Sequence, residues 1–251
     1  MNFIQRIYLK SVRDKLHKPF KPLGIKKRDS FLVSTPHATK EFLKVLSFLG
    51  GLRKLGSVIL LLPETFMPFV KMLKPNTFQV IYWTKIPQIL TREYDLLRKE
   101  LKNHQCNWLI ELSEDANLSL PGLIDVPKRI TFYDQKNYPY YNILVKNGIE
   151  SLMNFLQVTA IEPKSLFKFN KSELKTISKN LPAQHPLLFF NTVRDSDAER
   201  IEWSGSVVTW NKAAEGIEQA CKKIFLCDAY LGPDDEFCEI ARIFNKEIVV
   251  K

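Results

Sequence analysis

At 251 residues, 45% of them hydrophobic and 12% aromatic, the chain is long enough for one large or two modest domains with a real buried core. Its formal charge of +10 is concentrated, because residues 1–28 hold nine Lys or Arg against the single Asp14 and leave only +2 for everything that follows. A near-neutral body lacks the basic stripe of a nucleic-acid-binding face, and no apolar run reaches the roughly 20 residues that cross a bilayer.

The basic segment opens as a short amphipathic helix. Phe3, Ile4, Ile7, Tyr8 and Val12 fall on one side with Arg6, Lys10 and Arg13 opposite, and Pro19, Pro22 and Gly24 break regular structure after it. Such a helix suits either an anionic membrane surface or packing on the body with solvated lysines. The N-terminus has no apolar core of a secretory leader. Cys106, Cys221, Cys227 and Cys238 form no Cys-x-x-Cys pair, and His17, His37, His104 and His185 are scattered, so neither a zinc site nor a disulfide framework is expected. Reduced, buried thiols fit a cytoplasmic compartment.

From residue 29 strands and helices alternate. Strands are expected at 31–34, 57–62, 77–83, 108–112 and 130–133, with helices at 39–55, 66–73, 92–103 and 148–156. Strands that are apolar throughout and separated by helices imply a parallel sheet covered on both faces, hence a Rossmann-like domain over residues 29–160. A connector over 161–184 carries a short helix capped by Asn170. Residues 185–251 then repeat the α/β pattern on a smaller scale, with strands at 187–192, 207–210, 224–227 and 247–250 and helices at 213–222 and 234–244.

In doubly wound sheets ligands bind outside the carboxyl ends of the strands, which directs attention to the loops after Ser34, Pro63, Leu112, Thr192 and Cys227. These loops hold no Gly-x-Gly-x-x-Gly, Walker, Gly-x-Ser-x-Gly or His-Glu-x-x-His sequence. In the first of them His37 and Glu41 precede or open a helix, where one of them can act as a general base or both can be mere loop and helix-start residues. Glu111, Glu114 and Asp115 can meet a cation or a sugar hydroxyl, or form a solvated acidic loop. Tyr133, Tyr138, Tyr140 and Tyr141 can flank a groove or pack on their own domain.

Three stretches resemble glycosyltransferase family 9, the lipopolysaccharide heptosyltransferases: Pro127-Lys-Arg-Ile-Thr-Phe-Tyr133 with the following leucine-rich helix, the connector from Pro163 to Leu188, and Ile224-Phe-Leu-Cys-Asp-Ala-Tyr-Leu-Gly-Pro233 with its closing strand. The resemblance implies an α/β, GT-B-like architecture of two Rossmann-like parallel-sheet domains, the second abbreviated. It also implies sugar transfer from a nucleotide donor to a lipid-linked acceptor at the inner membrane face, with no metal and no cofactor beyond the donor. By the same resemblance Glu41 stands near the position of the family's catalytic Asp, with His37 beside it, and Asn191, Thr192, Asp228 and Gly232 near the donor.

The residues depart from that pattern at the donor turn. Asp234, Asp235 and Glu236 crowd the start of the last helix, where free N–H groups and the helix dipole would otherwise attract phosphate. The expectation is therefore a non-catalytic or weakly active descendant serving as a binding or scaffold protein, with an active glycosyltransferase as the alternative. Its expected partners are an anionic membrane surface through residues 1–28 and a protein, not nucleic acid, which places it in the cytoplasm or peripherally at the inner membrane.

Overall fold

A computed structural model of the chain describes residues 3–16, 28–124, 126–146, 148–191, 201–211 and 215–250. The chain forms two compact units whose sequences interleave: Met1–Ala38, Val45–Phe66 and Pro75–Ile161 make the first, and Thr39–Lys44, Met67–Lys74 and Glu162–Lys251 the second.

The first unit is built on β1 (Asp29–Ser34), β2 (Gly56–Pro63), β3 (Gln79–Trp83), β4 (Trp108–Glu111), β5 (Lys128–Phe132) and β6 (Ile143–Val145). All pairings are parallel, and the sheet order is β3-β2-β1-β4-β5-β6. Phe31, Leu32, Val33, Leu60, Leu61 and Leu62 are almost wholly buried, so consecutive residues on both faces of the sheet are covered, as the unbroken apolar runs required. At the amino edge a buried charge is paired: Asp29 accepts the Trp108 indole N–H at 2.8 Å and lies 3.7 Å from Lys128 Nζ, which in turn sits over the Trp108 ring.

Helix α1 (Phe3–Leu16) packs on this unit. Its buried side is Gln5 and Leu9, joined by Val12 and Leu16, rather than the Phe3–Ile7 side expected from its wheel. Three hydrogen bonds decide the orientation, from Gln5 Nε2 to the Ile89 carbonyl, from the Tyr140 hydroxyl to the Leu9 carbonyl, and from Arg129 Nη2 to the Leu16 carbonyl. Helix α3 (Leu46–Leu55) covers the sheet through Leu46, Phe48, Leu49 and Leu52, and α5 (Arg92–Leu101) through Tyr94, Leu97 and Leu101. Thr91 caps α5 by accepting the Tyr94 N–H, and α6 (Gly148–Leu156) closes the unit. The single helix expected over 39–55 is two: α2 (Thr39–Lys44) ends at Val45 and belongs to the second unit.

That unit holds a four-stranded parallel sheet of β7 (Leu187–Phe190), β8 (Ser206–Thr209), β9 (Ala229–Gly232) and β10 (Glu247–Val250) in the order β10-β9-β7-β8. Its helices are α2, α4 (Met67–Lys71), α7 (Lys171–Lys179), α8 (Ile217–Leu226) and α9 (Glu236–Ile243), with α7 capped by Asn170 as expected. Chain segments 72–74 and 166–168 are joined by the Lys74 N–H to Leu166 carbonyl and Lys168 N–H to Met72 carbonyl bonds. Phe169 and Phe244 stack on each other and each on Phe167 and Phe225, edge-on or tilted with centroids 5.0–6.4 Å apart.

The strand expected over 224–227 is the last turn of α8. The apolar run Ile224-Phe-Leu reads equally as strand or helix, and the buried residues Ala220, Cys221 and Ile224 fall on a helical period. The strand proper starts two residues later, at Ala229. No helix among the described residues is long and apolar enough to cross a membrane.

Candidate functional site

Each sheet has one place where successive strands depart in opposite directions, which is where open α/β sheets form ligand crevices. In the first sheet it lies between β1 and β4, whose last residues Ser34 and Glu111 are register partners. In the second it lies between β7 and β9, which end at Phe190, just before Asn191, and at Gly232.

At the first switch point Glu111 is not part of a solvated loop. Its side chain is fully buried, with Oε1 accepting the Ser113 N–H at 3.0 Å and Oε2 without a hydrogen-bond partner among the described residues. Around it the Ser113 hydroxyl donates to the Thr35 carbonyl, the Thr131 hydroxyl to the Glu111 carbonyl, and the buried Tyr141 hydroxyl to the Asn117 carbonyl. Burial pushes the Glu111 pKa up to about 7, against the weaker pull of Ser113, Ser34 and Asn117. Burial first and the Glu111 carboxyl second hold the Tyr141 phenol well above its ordinary value. Glu114 is exposed, and Asp115 meets Lys136 at the surface.

His37 follows the same β1 end. Its ring stands edge-on to Trp83 with centroids 5.3 Å apart, and partial desolvation lowers its pKa, so the imidazole is neutral at pH 7 and able to accept a proton. Glu41 belongs to the other unit, on α2, where its exposed carboxylate accepts from Lys44 Nζ at 2.7 Å. Of the four tyrosines, Tyr133 and Tyr138 are exposed whereas Tyr140 and Tyr141 are buried and hydrogen-bonded.

The second switch point brings Asn191 and Gly232 together. A Cβ on Gly232 would lie 2.8 Å from the Tyr230 hydroxyl and 2.9 Å from Asn191 Cβ, so the absence of a side chain is what lets these groups close over the turn. They close onto Asp235. Asn191 Nδ2 donates to Asp235 Oδ2 at 2.7 Å and to the Tyr230 oxygen at 3.2 Å, and the Tyr230 hydroxyl lies 3.0 Å from Asp235 Oδ1. The same Oδ1 accepts the N–H groups of Phe237 and Cys238, making Asp235 the N-cap of α9. The next charge out is also taken: Asp234 is paired with Lys40 of α2 and, at 2.9 Å, with Arg242 of α9. Lys40 first and Arg242 second hold the Asp234 carboxyl down at about 2.

Asp228 is placed elsewhere. It precedes β9, accepts the Leu187 N–H at 2.8 Å and lies 3.1 Å from His185 Nδ1, at the amino end of the sheet. Three residues of strand separate it from Gly232, and the four steps of rise amount to roughly 13 Å. The displaced strand boundary is the cause, since a strand ending at Cys227 would have put Asp228 at the carboxyl end. Thr192 lies outside the described residues. Sequence reasoning missed Tyr230 as a partner of Asn191, and it gave Lys40 and Arg242 no part in the turn. The described residues contain no group of three or more His, Cys, Asp or Glu side chains placed to hold a metal.

No protein-family model matches the chain, and no curated protein matches it in sequence. Solved structures do match in shape. The ADP-heptose lipopolysaccharide heptosyltransferase II of E. coli superposes with a TM-score of 0.61 at 13% identity, over 88% of this chain and 84% of that one. A family 9 glycosyl transferase from Veillonella parvula gives 0.63 at 11%, over 92% and 83%. The E. coli heptosyltransferase WaaC bound to ADP-2-deoxy-2-fluoro heptose gives 0.54 at 12%, over 88% of both chains. The fold is that of the family 9 glycosyltransferases. It is the GT-B type, with two Rossmann-like parallel-sheet units of six and four strands.

Proposed function

We propose that this chain is a non-catalytic or weakly active descendant of a heptosyltransferase-type glycosyltransferase, serving as a binding or scaffold component. One observation carries the reading. The Asp235 carboxylate already sits on the N-terminus of α9, taking the N–H groups of Phe237 and Cys238 as a donor phosphate would, and Asn191 and Tyr230 hold it there. A pyrophosphate entering this turn would meet a carboxylate within a few ångströms, a repulsion of about 4 kcal/mol at an effective dielectric of 20. The nearest cations offer no relief, since Lys40 and Arg242 both serve Asp234. The test is calorimetric titration of the full chain with ADP, UDP and an ADP-sugar. No saturable heat is expected, and micromolar binding of any of them defeats the reading.

A second reading, an active enzyme moving a sugar from a nucleotide donor to a lipid-linked glycan, is favoured by the basic groups available. Glu41 is an exposed carboxylate on α2, and His37 is neutral at pH 7. It requires donor turnover by the purified protein that falls at least a hundredfold in Glu41→Gln or His37→Gln, the scale of a lost general base. Turnover unchanged in both variants removes these residues as bases.

A further inference from the structure

Helix α1 has two apolar sides, and the fold uses only one. Gln5, Leu9, Val12 and Leu16 face the first unit, and the three hydrogen bonds to Ile89, Leu9 and Leu16 carbonyls fix the helix's rotation. The rotation so fixed turns four large apolar side chains to solvent: Phe3 is 75% exposed, Ile4 65%, Ile7 55% and Tyr8 42%. Leu90, next to the Ile89 carbonyl that Gln5 holds, is half exposed as well. Residues 3, 4, 7 and 8 form one stripe along the first two turns, so this is a contiguous apolar ridge and not scattered exposure.

The ridge is flanked by cations. Arg6, Lys10 and Lys15 are exposed and make no ion pair or hydrogen bond among the described residues, whereas the helix's one acid, Asp14, is engaged by Arg13. We infer that this outer side of α1 is a docking surface for an anionic lipid bilayer. Phe3, Ile4 and Ile7 enter the boundary between headgroups and acyl chains, Tyr8 sits at headgroup level, and Arg6, Lys10 and Lys15 reach the lipid phosphates. Charge complementarity selects this occupant over a second copy of the chain. Two copies meeting ridge to ridge would bring Arg6 and Lys10 of one against those of the other, whereas an anionic bilayer answers every one of these charges. The helix spans about 21 Å, too short to cross the membrane, so it lies along the surface.

This inference does not depend on whether the second unit binds a nucleotide. It is tested with the full chain by co-sedimentation with vesicles of phosphatidylcholine, with and without phosphatidylglycerol. Wild type is expected to bind the anionic vesicles, to bind neutral ones weakly and to be released as salt screens the contact. Lys10→Gln should weaken anionic binding about fivefold, the share of one cation near a charged leaflet. Ile4→Ser/Ile7→Ser should abolish it. Both sites face solvent, so the variants should keep the wild-type melting temperature. Equal binding of wild type and the Ile4/Ile7 variant, or equal binding to neutral and anionic vesicles, overturns the inference. So does a dimer in lipid-free buffer that the Ile4/Ile7 substitutions dissolve, which would give the ridge to a second copy.

Discussion

At the switch point of the first sheet the buried Glu111 carboxyl has no cation and one oxygen without a hydrogen-bond partner among the described residues, while at that of the second the Asp235 carboxylate has four donors, from Asn191, Tyr230, Phe237 and Cys238. The two positions are equivalent in topology and opposite in electrostatics. One holds a buried acid that no cation compensates, and the other an acid so well compensated that the site has no capacity left for a ligand's charge. Even within the first sheet the contrast recurs, since Asp29 at the amino edge is buried with Lys128 and the Trp108 N–H to answer it. Among the described residues the two buried acids therefore differ, Asp29 being answered by a cation and Glu111 by none.

The largest expected consequence is a pH dependence of stability. Glu111 has a folded-state pKa of about 7, raised mainly by burial, against an ordinary 4.5. Below the unfolded value both states hold the proton and the residue costs nothing. As pH rises from there, the unfolded chain ionises while the folded one does not, so stability falls by about 3 kcal/mol up to pH 7 and is level above it. Glu111→Gln, neutral throughout, should remove that slope and melt later than wild type at pH 8. Urea unfolding at several pH values reads this directly, and parallel profiles for the two proteins would mean that Glu111 is not the uncompensated acid.

Next in size is the other member of the comparison. Asp235→Ala removes the α9 cap and leaves Asn191 Nδ2 only the Tyr230 oxygen and the Tyr230 hydroxyl only the Pro233 carbonyl, both at 3.2 Å, a loss of about 2 kcal/mol in urea unfolding. Asp235→Asn, which keeps one acceptor oxygen, should lose about half of that. A loss in Asp235→Ala no greater than that of a surface substitution would show that the network is decorative. Gly232→Ala should cost about 1 kcal/mol, because the new methyl meets the Tyr230 hydroxyl and Asn191 Cβ below contact distance and one of them must move.

How much of this was readable beforehand varies with the kind of residue. The alternation of unbroken apolar runs with helical periods is enough to read two parallel α/β units, and Asn170 announces its helix by capping it. The acidic turn at 234–236 also announces that the helix start is occupied. Three things escape such reading for physical reasons. An apolar run of three or four residues has no period of its own, so 224–227 reads as strand and carries Asp228 to the wrong end of the sheet. Burial of Glu111 depends on Ser34, Thr131 and Tyr141 from three other segments, while its neighbours Glu114 and Asp115 look like loop. The rotation of α1 follows from carbonyl contacts with Ile89, Tyr140 and Arg129, which a helical wheel does not contain.

The smallest effect on stability is expected from Asp234, and it bears most directly on function. Its carboxyl is exposed and held down at about 2 by Lys40 and Arg242, so its contribution is present above the ordinary carboxylate range and lost only as pH falls through 2. At pH 7 Asp234→Asn should melt within a degree or two of wild type. What it changes is the charge on offer, because Lys40 Nζ then keeps only the Asp234 carbonyl, at 2.9 Å, and Arg242 only Glu239, at 3.1 Å. Combined with Asp235→Asn, which removes the charge but not the acceptor oxygen from the N–H groups of Phe237 and Cys238, it takes two of the anions from a turn that keeps Lys40 and Arg242, with Glu236 and Glu239 remaining in the first turn of α9. If the protein's own carboxylates are what exclude a diphosphate, the double variant should bind ADP at least tenfold more tightly than wild type, with a salt dependence that wild type lacks. Titration calorimetry of the two proteins at matched ionic strength decides the matter. A double variant that stays as silent as wild type would mean that the shape of the turn, closed by Asn191 and Tyr230 over Gly232, excludes the ligand whatever its charge.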